Sequence, residues 1–243
     1  MRLDFRCLGV FALAGENRWT SGFSRAHGRE FLQYLVAHPR RSIARSVLFD
    51  SLWPDLDAAE CAHRLHLAVS GARSALRSIL SGVNPIVCVN GAYGWRPGLD
   101  IGSDVEQLAV CYRDGSIEAM ERGVRGYSGE FLAGETAEWI LPLRIRYEHM
   151  YVAMLERLAL AASEAGDIAA ATEYAFELAE ADPAHEGAAR MLMRCFAKSG
   201  RRTSALAQYD KLLRFLDQRL SVKPLAETEQ LRDRIIAGDL AGF

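Results

Sequence analysis

The stretch from Asp57 to Leu80 constrains this chain more than any other. Trp53-Pro54-Asp55 precedes it and an Asn90-Gly91-Ala92-Tyr93 turn follows, so it reads as one long helix between punctuation. Asp57 followed by Glu60 fits a capping box, a short acceptor at the N-cap with a carboxylate three residues on. At about 100° per residue, Leu65, Val69, Ala72 and Leu76 fall in one narrow sector and form a core stripe. Opposite lie Glu60, His63, Leu67, Ser70, Gly71 and Ser74, flanked by Arg64, His66, Arg73 and Arg77. A helix with so thin an apolar stripe packs on its neighbours along one edge. The helix alone fits two readings: an ordinary surface helix, or one laid in a DNA groove.

A chain of 243 residues is long enough for two domains. Half of it is hydrophobic and a quarter charged, the balance of a globular protein with real cores. The formal net charge of −2 argues against a strongly basic nucleic-acid binder, but the average hides a split. Residues 1–100 hold 12 arginines and no lysine against 8 acids, a balance of +4, which leaves −6 for the rest. Such asymmetry points to a nucleic-acid-facing end. The all-arginine cation set suits phosphate forks, and it is equally what a GC-rich coding bias produces. The five cysteines are odd in number and scattered, the pattern of reduced thiols in a cytosolic protein. The apolar run Cys7 to Ala14 is short and follows Asp4 and Arg6, which is no secretory signal. Glu156 and Arg157 break the longest apolar stretch, Met150 to Ala162, so the expected location is the cytoplasm, away from membranes.

Taken in order, residues 2–20 alternate like short strands, with Gly15-Glu16-Asn17 as a break before Trp19. A helix is expected from about Arg25 to Ala37, capped by Ser24 and ended by His38-Pro39. A second runs from about Arg45 to Leu52, and the long helix is the third. Pro85 to Arg96 reads as a hairpin around Asn90-Gly91, where Asn90 is a turn former rather than a reader of bases. Strands, three closely connected helices and a hairpin describe a helix-turn-helix with a wing. From Ser103 onward the pattern is helical: Val105–Asp114, Ser116–Arg125, Glu138–Ala165, Ile168–Ala181, His185–Ser199 and Arg202–Leu220. Gly166-Asp-Ile-Ala-Ala-Ala and Gly200-Arg-Arg-Thr-Ser-Ala recur 34 residues apart, the period of tetratricopeptide (TPR) repeats. An unspecialised helical bundle is the plainer alternative.

In this arrangement the chain resembles the antibiotic-regulatory-protein (SARP) type of bacterial transcriptional activator. The resemblance rests on Arg29-Glu-Phe-Leu-Gln-Tyr-Leu-Val-Ala-His-Pro-Arg-Arg, Ile43-Ala-Arg-Ser-Val-Leu-Phe-Asp-Ser-Leu-Trp-Pro-Asp and Gly91-Ala-Tyr-Gly-Trp-Arg-Pro. In the second half it rests on Trp139, Arg144, Arg146-Tyr, Leu155-Glu-Arg-Leu, Gly166-Asp, Asp182-Pro, Gly200 to Tyr209 and Leu220 to Thr228. It implies an α+β fold, an OmpR-like winged helix-turn-helix over 1–102, followed by an all-α, TPR-like bacterial transcriptional activator domain over 103–243. It also implies a promoter-binding regulator that pairs as a homodimer on repeated half-sites of double-stranded DNA and recruits RNA polymerase. In the family the third helix is arginine-rich. Here three of those positions hold His66, Gly71 and Ser74, and Arg73 alone remains; Ala44 stands where a Ser or Thr cap is expected.

The expected DNA-binding residues are Arg64, His66, Leu67, Ser70, Arg73 and Arg77 on the third helix. Arg40, Arg41 and Arg45 around it, with Tyr93 and Arg96 on the wing, are expected at phosphates. Leu67 suits a thymine methyl and Ser70 any base or phosphate. Trp53 and Asp55 form the turn that the resemblance puts near RNA polymerase; Trp53 equally fits a core plug, and Asp55 is the better outward contact. Cys61-x-His63-x-x-His66 does not make a metal site, because Cys61 points away from His63 on a helix. No phosphate loop, zinc signature or nucleophile elbow suggests catalysis or a cofactor. The alternative function is an adaptor whose winged helix has lost DNA affinity.

Overall fold

Leu3 and Phe5 alternate with Arg2, Asp4 and Arg6, and that period of two makes the opening segment a strand with one buried face. The computed structural model describes residues 2–14, 19–20, 26–39, 41–77, 80 and 83–239. Contacts divide the chain into two compact units, Met1–Val110 with Gly126–Tyr147, and Cys111–Arg125 with Glu148–Phe243. The expected Ser24 cap, the break at Gly15-Glu16-Asn17 and Arg40 lie outside the described residues.

The first unit runs β1 (Arg2–Arg6), β2 (Ala12–Ala14), β3 (Trp19–Thr20), α1 (Ala26–Ala37), β4 (Ile43–Ala44), α2 (Arg45–Leu52), α3 (Ala58–Arg77), β5 (Ile86–Val89), β6 (Ala92–Trp95) and β7 (Asp100–Ser103). One sheet has the order β3-β2-β1-β7, with β1 antiparallel to β2 and parallel to β7, Leu3 opposite Ile101. The other has the order β4-β6-β5. The short strands β4 and β7 were not expected from the sequence. Both are fixed by partners far along the chain, β4 by Tyr93 and Ala92, β7 by β1. Residues 126–147 join this unit through a bridge between Leu8 and Phe131 and through backbone hydrogen bonds of Cys7 and Gly9 with Glu130, Leu132 and Ala133; Arg144 closes the segment on itself. The Arg144 guanidinium donates to the carbonyls of Phe131, Leu132 and Glu135 at 2.6–2.8 Å.

The closest packing in this unit is between α1 and α3. A Cβ added at Gly28 of α1 would sit 2.9 Å from the Ala72 nitrogen and from the Gly71 carbonyl carbon, so the two backbones nearly touch. Gly71 is accordingly buried. Its expected place on the outer face is corrected: Gly28 of α1 lies against the α3 backbone at Gly71 and Ala72, so that edge of α3 is covered.

The second unit contains α4 (Asp104–Asp114) from Cys111 onward, α5 (Ile117–Gly126) up to Arg125, α6 (Leu141–Glu164) from Glu148, α7 (Ile168–Ala181), α8 (Glu186–Lys198), α9 (Arg202–Phe215), a π-helical turn over Leu216–Leu220, and α10 (Ala226–Ala237). The 34-residue repeat is visible in hydrogen bonds. Gly166 and Gly200 both have positive φ and each ends a helix with its N–H bonded three residues back. The following N–H groups, of Asp167 and Arg201, reach the carbonyls of Ala162 and Phe196, so the same Schellman closure is used twice. Ala171 and Ala205, also 34 apart, are both fully buried where successive helices meet. Leu192, Met193, Phe196, Tyr209, Leu231 and Ile235 fill the core of this helical stack. Helix α10 was not expected. Its N-cap, Leu225, has no side-chain oxygen, and the acceptor comes from Glu186 of α8, which takes the Leu225 N–H and the Thr228 hydroxyl.

Gly28→Ala tests the helix crossing. Alanine favours an isolated helix by about 1 kcal/mol, but forcing a methyl against the α3 backbone costs about 1–3 kcal/mol. Urea unfolding will show the variant less stable than the parent; a gain in stability contradicts the crossing.

Candidate nucleic-acid interface

Asp57 starts α3 by accepting the N–H groups of Ala59 and Glu60 at 2.9 Å each, the N-cap half of the expected box. Ala44 caps α2 with no side-chain bond. Between the two helices, Trp53 turns inward: it is 6% exposed, and its indole N–H reaches Glu30 Oε2 at 3.3 Å. The core-plug reading of Trp53 describes its position, and a direct contact between its ring and a partner is set aside because the ring is buried. Pro54 and Asp55 are exposed on the same turn. Burial raises the pKa of Glu30 above its ordinary value, against the lowering effects of the Trp53 N–H and Arg64.

Along α3 the exposed positions Ala59, His63, His66, Ser70, Ser74 and Arg77 recur at spacings of three and four, with Leu67 half-buried among them. This is one continuous stripe. His63 and Ser74 belong to it, although they were not among the expected contacts; the same spacing that selected Ser70 identifies them. Arg64 stands about a third of a turn away and lines a cleft with Glu30 and Trp53 instead. Arg73 lies on the other flank. It is half-buried, and its Nε and Nη2 donate to the Ile86 carbonyl at 3.2 and 2.8 Å, so it braces β5 against α3.

The hairpin β5–β6 pairs Ile86 with Trp95 and Val89 with Ala92. Asn90 and Gly91 both have positive φ, as a two-residue type I′ turn requires. Arg96 is exposed, and its Nε donates to the Asn84 carbonyl at 2.7 Å. Tyr93 packs edge-on against Phe31. Burial, with Cys88 beside it, raises its pKa, while the charges of Arg73 and Arg45 oppose the rise. Arg45 is exposed at the start of α2 with its guanidinium 5.6 Å from the Phe49 ring, and Arg41 is exposed just before it. Thus α2, α3 and the hairpin bring Arg45, Arg73 and Tyr93 into one neighbourhood, next to the stripe of α3. Among the described residues no group of three or more His, Cys, Asp or Glu is arranged to hold a metal.

The rest of the chain identifies its family. Residues 106–236 match the model of the bacterial transcriptional activator domain (BTAD), more than half of the sequence. The chain belongs to the bacterial transcriptional activator domain family. The matched region begins in α4 and ends in α10, so it takes in the repeated glycine closures and leaves α3 and the hairpin ahead of it. The chain is similar to the regulatory protein AfsR of Streptomyces coelicolor, 27% identical over 252 residues, covering 95% of this chain and 24% of AfsR. It is similar also to the AfsR of Streptomyces griseus, 26% identical over 248 residues, covering 98% of this chain and 25% of that protein. The chain therefore spans about a quarter of the length of these relatives. In fold it resembles Mycobacterium tuberculosis EmbR, solved in complex with a low affinity phosphopeptide. The TM-score is 0.75 at 19% identity, covering 97% of this chain and 65% of that one. That likeness extends over the strands and α1–α3 as well as the BTAD helices.

Two outcomes follow from the bonds around α3. Arg73→Ala removes two charge-assisted hydrogen bonds, and such bonds contribute about 1.5–3 kcal/mol when shielded and less when half-exposed. Hydrogen exchange will be faster across Ile86–Trp95 in that variant, while α1 keeps its protection. Glu30→Gln tests the buried carboxyl. A carboxyl whose folded pKa is raised resists ionising, so its stabilising contribution is full at low pH and is lost as pH rises through that pKa. The amide escapes this loss. The melting temperature of Glu30→Gln relative to the parent will rise between pH 4 and pH 7; a difference that is flat with pH contradicts the burial effect.

Proposed function

We propose that this chain is a DNA-binding transcriptional regulator of the SARP type. In this reading residues 1–102 form an OmpR-like winged helix and residues 103–243 the TPR-like activator domain. The observation that carries it is the stripe Ala59, His63, His66, Ser70, Ser74 and Arg77 beside an Arg73-braced hairpin. An exposed helix of this length, the second of a helix-turn-helix, suits a major groove, with a wing for the neighbouring backbone. His66, Leu67 and Ser70 are the base-edge candidates. Arg77, Arg41, Arg45 and Arg96 are the phosphate candidates, with Arg40 beside them in sequence. Arg73 and Tyr93 act by holding the hairpin in register with α3. The BTAD helices supply pairing on repeated half-sites and, with the exposed Asp55 at the α2–α3 turn, contact to RNA polymerase. Trp53 supports that contact by fixing the turn from inside.

A second reading keeps the helical domain and drops the DNA. Only one permanent cation, Arg77, lies on the stripe itself, which favours an adaptor whose front module no longer holds a duplex.

Selection from random-sequence duplexes, followed by binding titrations across salt, separates the two. The regulator reading predicts an enriched sequence and an affinity that falls steeply with salt, about 0.9 in the log–log slope per neutralised phosphate. Arg77→Ala will lower affinity on all sequences and reduce that slope by about 1, whereas Ser70→Ala will relax preference at one position. No enrichment, with binding no tighter than millimolar on every duplex, supports the adaptor instead.

A further inference from the structure

Among the described residues the outward stripe of α3 carries a single permanent cation, Arg77, but it also carries two imidazoles. His63 and His66 are both exposed and stand about one turn apart. At about 100° per residue His63 lies about 180° from Ala72, which is fully buried, so it holds the middle of the outward face. His66 lies about 60° to one side, on the flank of Arg73 and Arg77. Glu60 lies about 60° to the other side.

The charged groups that neighbouring elements bring to α3 are directed elsewhere. From α1, Arg29 pairs with Glu135, and Glu30 takes the Trp53 indole N–H and acts on Arg64. From α2, Asp50 acts on Cys61, and Arg45 acts with Arg73 on Tyr93 of the hairpin. Cys88 bonds to Tyr93, and Arg96 donates to the Asn84 carbonyl. Asp57 is engaged in the N-cap, and Asp55 stands exposed on the turn before it. On α3 itself Glu60 and Arg64 are the charged residues within one turn of His63. Among the described residues neither imidazole makes a hydrogen bond or an ion pair. Both rings are therefore open to whatever lies along the stripe.

Histidine is the side chain whose ordinary change of charge falls between about pH 5 and 8. A duplex is a polyanion, so its field favours the charged ring, and binding of DNA and binding of protons reinforce each other. That contribution is present at low pH and is lost as pH rises through the imidazole range. Guanidinium contacts keep their charge throughout.

We propose that His63 and His66 bind the duplex as imidazolium cations, donating to acceptors on its groove edge or backbone, so that the affinity of the α3 stripe for DNA is set by pH. The proposal rests on the regulator reading, and it gives His63 a contact that the reading leaves unassigned.

The test uses the full chain and a duplex selected from random sequence at about pH 6, within the imidazole range. Binding is titrated by fluorescence anisotropy at pH 6, 7 and 8 at one ionic strength. Affinity will rise about tenfold or more from pH 8 to pH 6, since uptake of one proton gives a factor of ten per pH unit. Calorimetry in two buffers of different ionisation enthalpy will show net proton uptake on binding. The double variant His63→Gln, His66→Gln will bind no better at pH 6 than at pH 8. The double variant His63→Arg, His66→Arg will bind tightly at both. Both positions are exposed, so the melting temperature of the free protein changes little in either. Parent binding that is sequence-selective and salt-dependent but flat with pH overturns the proposal and leaves the regulator reading standing. So does a pH response that the glutamine variant keeps in full, which puts the titrating group elsewhere, as at His185, whose ring caps α8. Absence of duplex binding at every pH overturns the proposal together with the reading it rests on.

Discussion

The approach of α1 to α3 at Gly28 sets what the first unit presents to its surroundings. The backbones nearly touch where Gly28 meets Gly71 and Ala72, which leaves no room for a side chain at Gly28 and fixes which edge of α3 is covered. The remaining circumference is then divided by rotation alone. Leu65, Val69, Ala72 and Leu76 enter the core, Arg64 faces the cleft beside Trp53, Arg73 reaches the hairpin, and the stripe from Ala59 to Arg77 is left outward. A larger residue at Gly28 would rotate or lift α3 and disturb all of these at once, since packed interiors accommodate volume poorly.

Much of this was legible in the sequence because it is local. The Asp57 cap, the Asn90-Gly91 turn and the spacing of Leu65, Val69 and Leu76 each need only a few neighbouring residues, and each is found where the spacing puts it. The 34-residue period was legible for the same reason, as a glycine closure repeated with its hydrogen bonds. What the sequence hid is non-local. Gly71 reads as an outward residue until α1 is laid across it. Arg73 reads as a groove cation until the Ile86 carbonyl is found beneath it. Helix α10 lacked a visible start because its capping oxygen belongs to Glu186, 39 residues before Leu225. In the candidate site, the stripe was readable from helical periodicity, whereas the sorting of arginines into braces, cleft walls and outward charges was not.

Residues 126–147 belong to the first unit in a way that a linear division of the chain does not anticipate. They lie within the BTAD match, yet Phe131, Leu132 and Ile140 are buried in the unit that begins at β1. Cys7 and Gly9 exchange backbone hydrogen bonds with Glu130, Leu132 and Ala133, and Arg144 ties off the loop. A fragment ending near residue 102 therefore loses part of the first unit's core.

The most direct test of the account asks which atoms touch the duplex. A photo-activated crosslinker carried at Ser70, in the middle of the α3 stripe, is irradiated with the selected duplex bound and compared with the same group at Lys198, exposed at the end of α8. The account predicts a covalent DNA adduct from position 70 and none from position 198. Adducts from position 198 alone, with position 70 silent while the duplex is bound, contradict it.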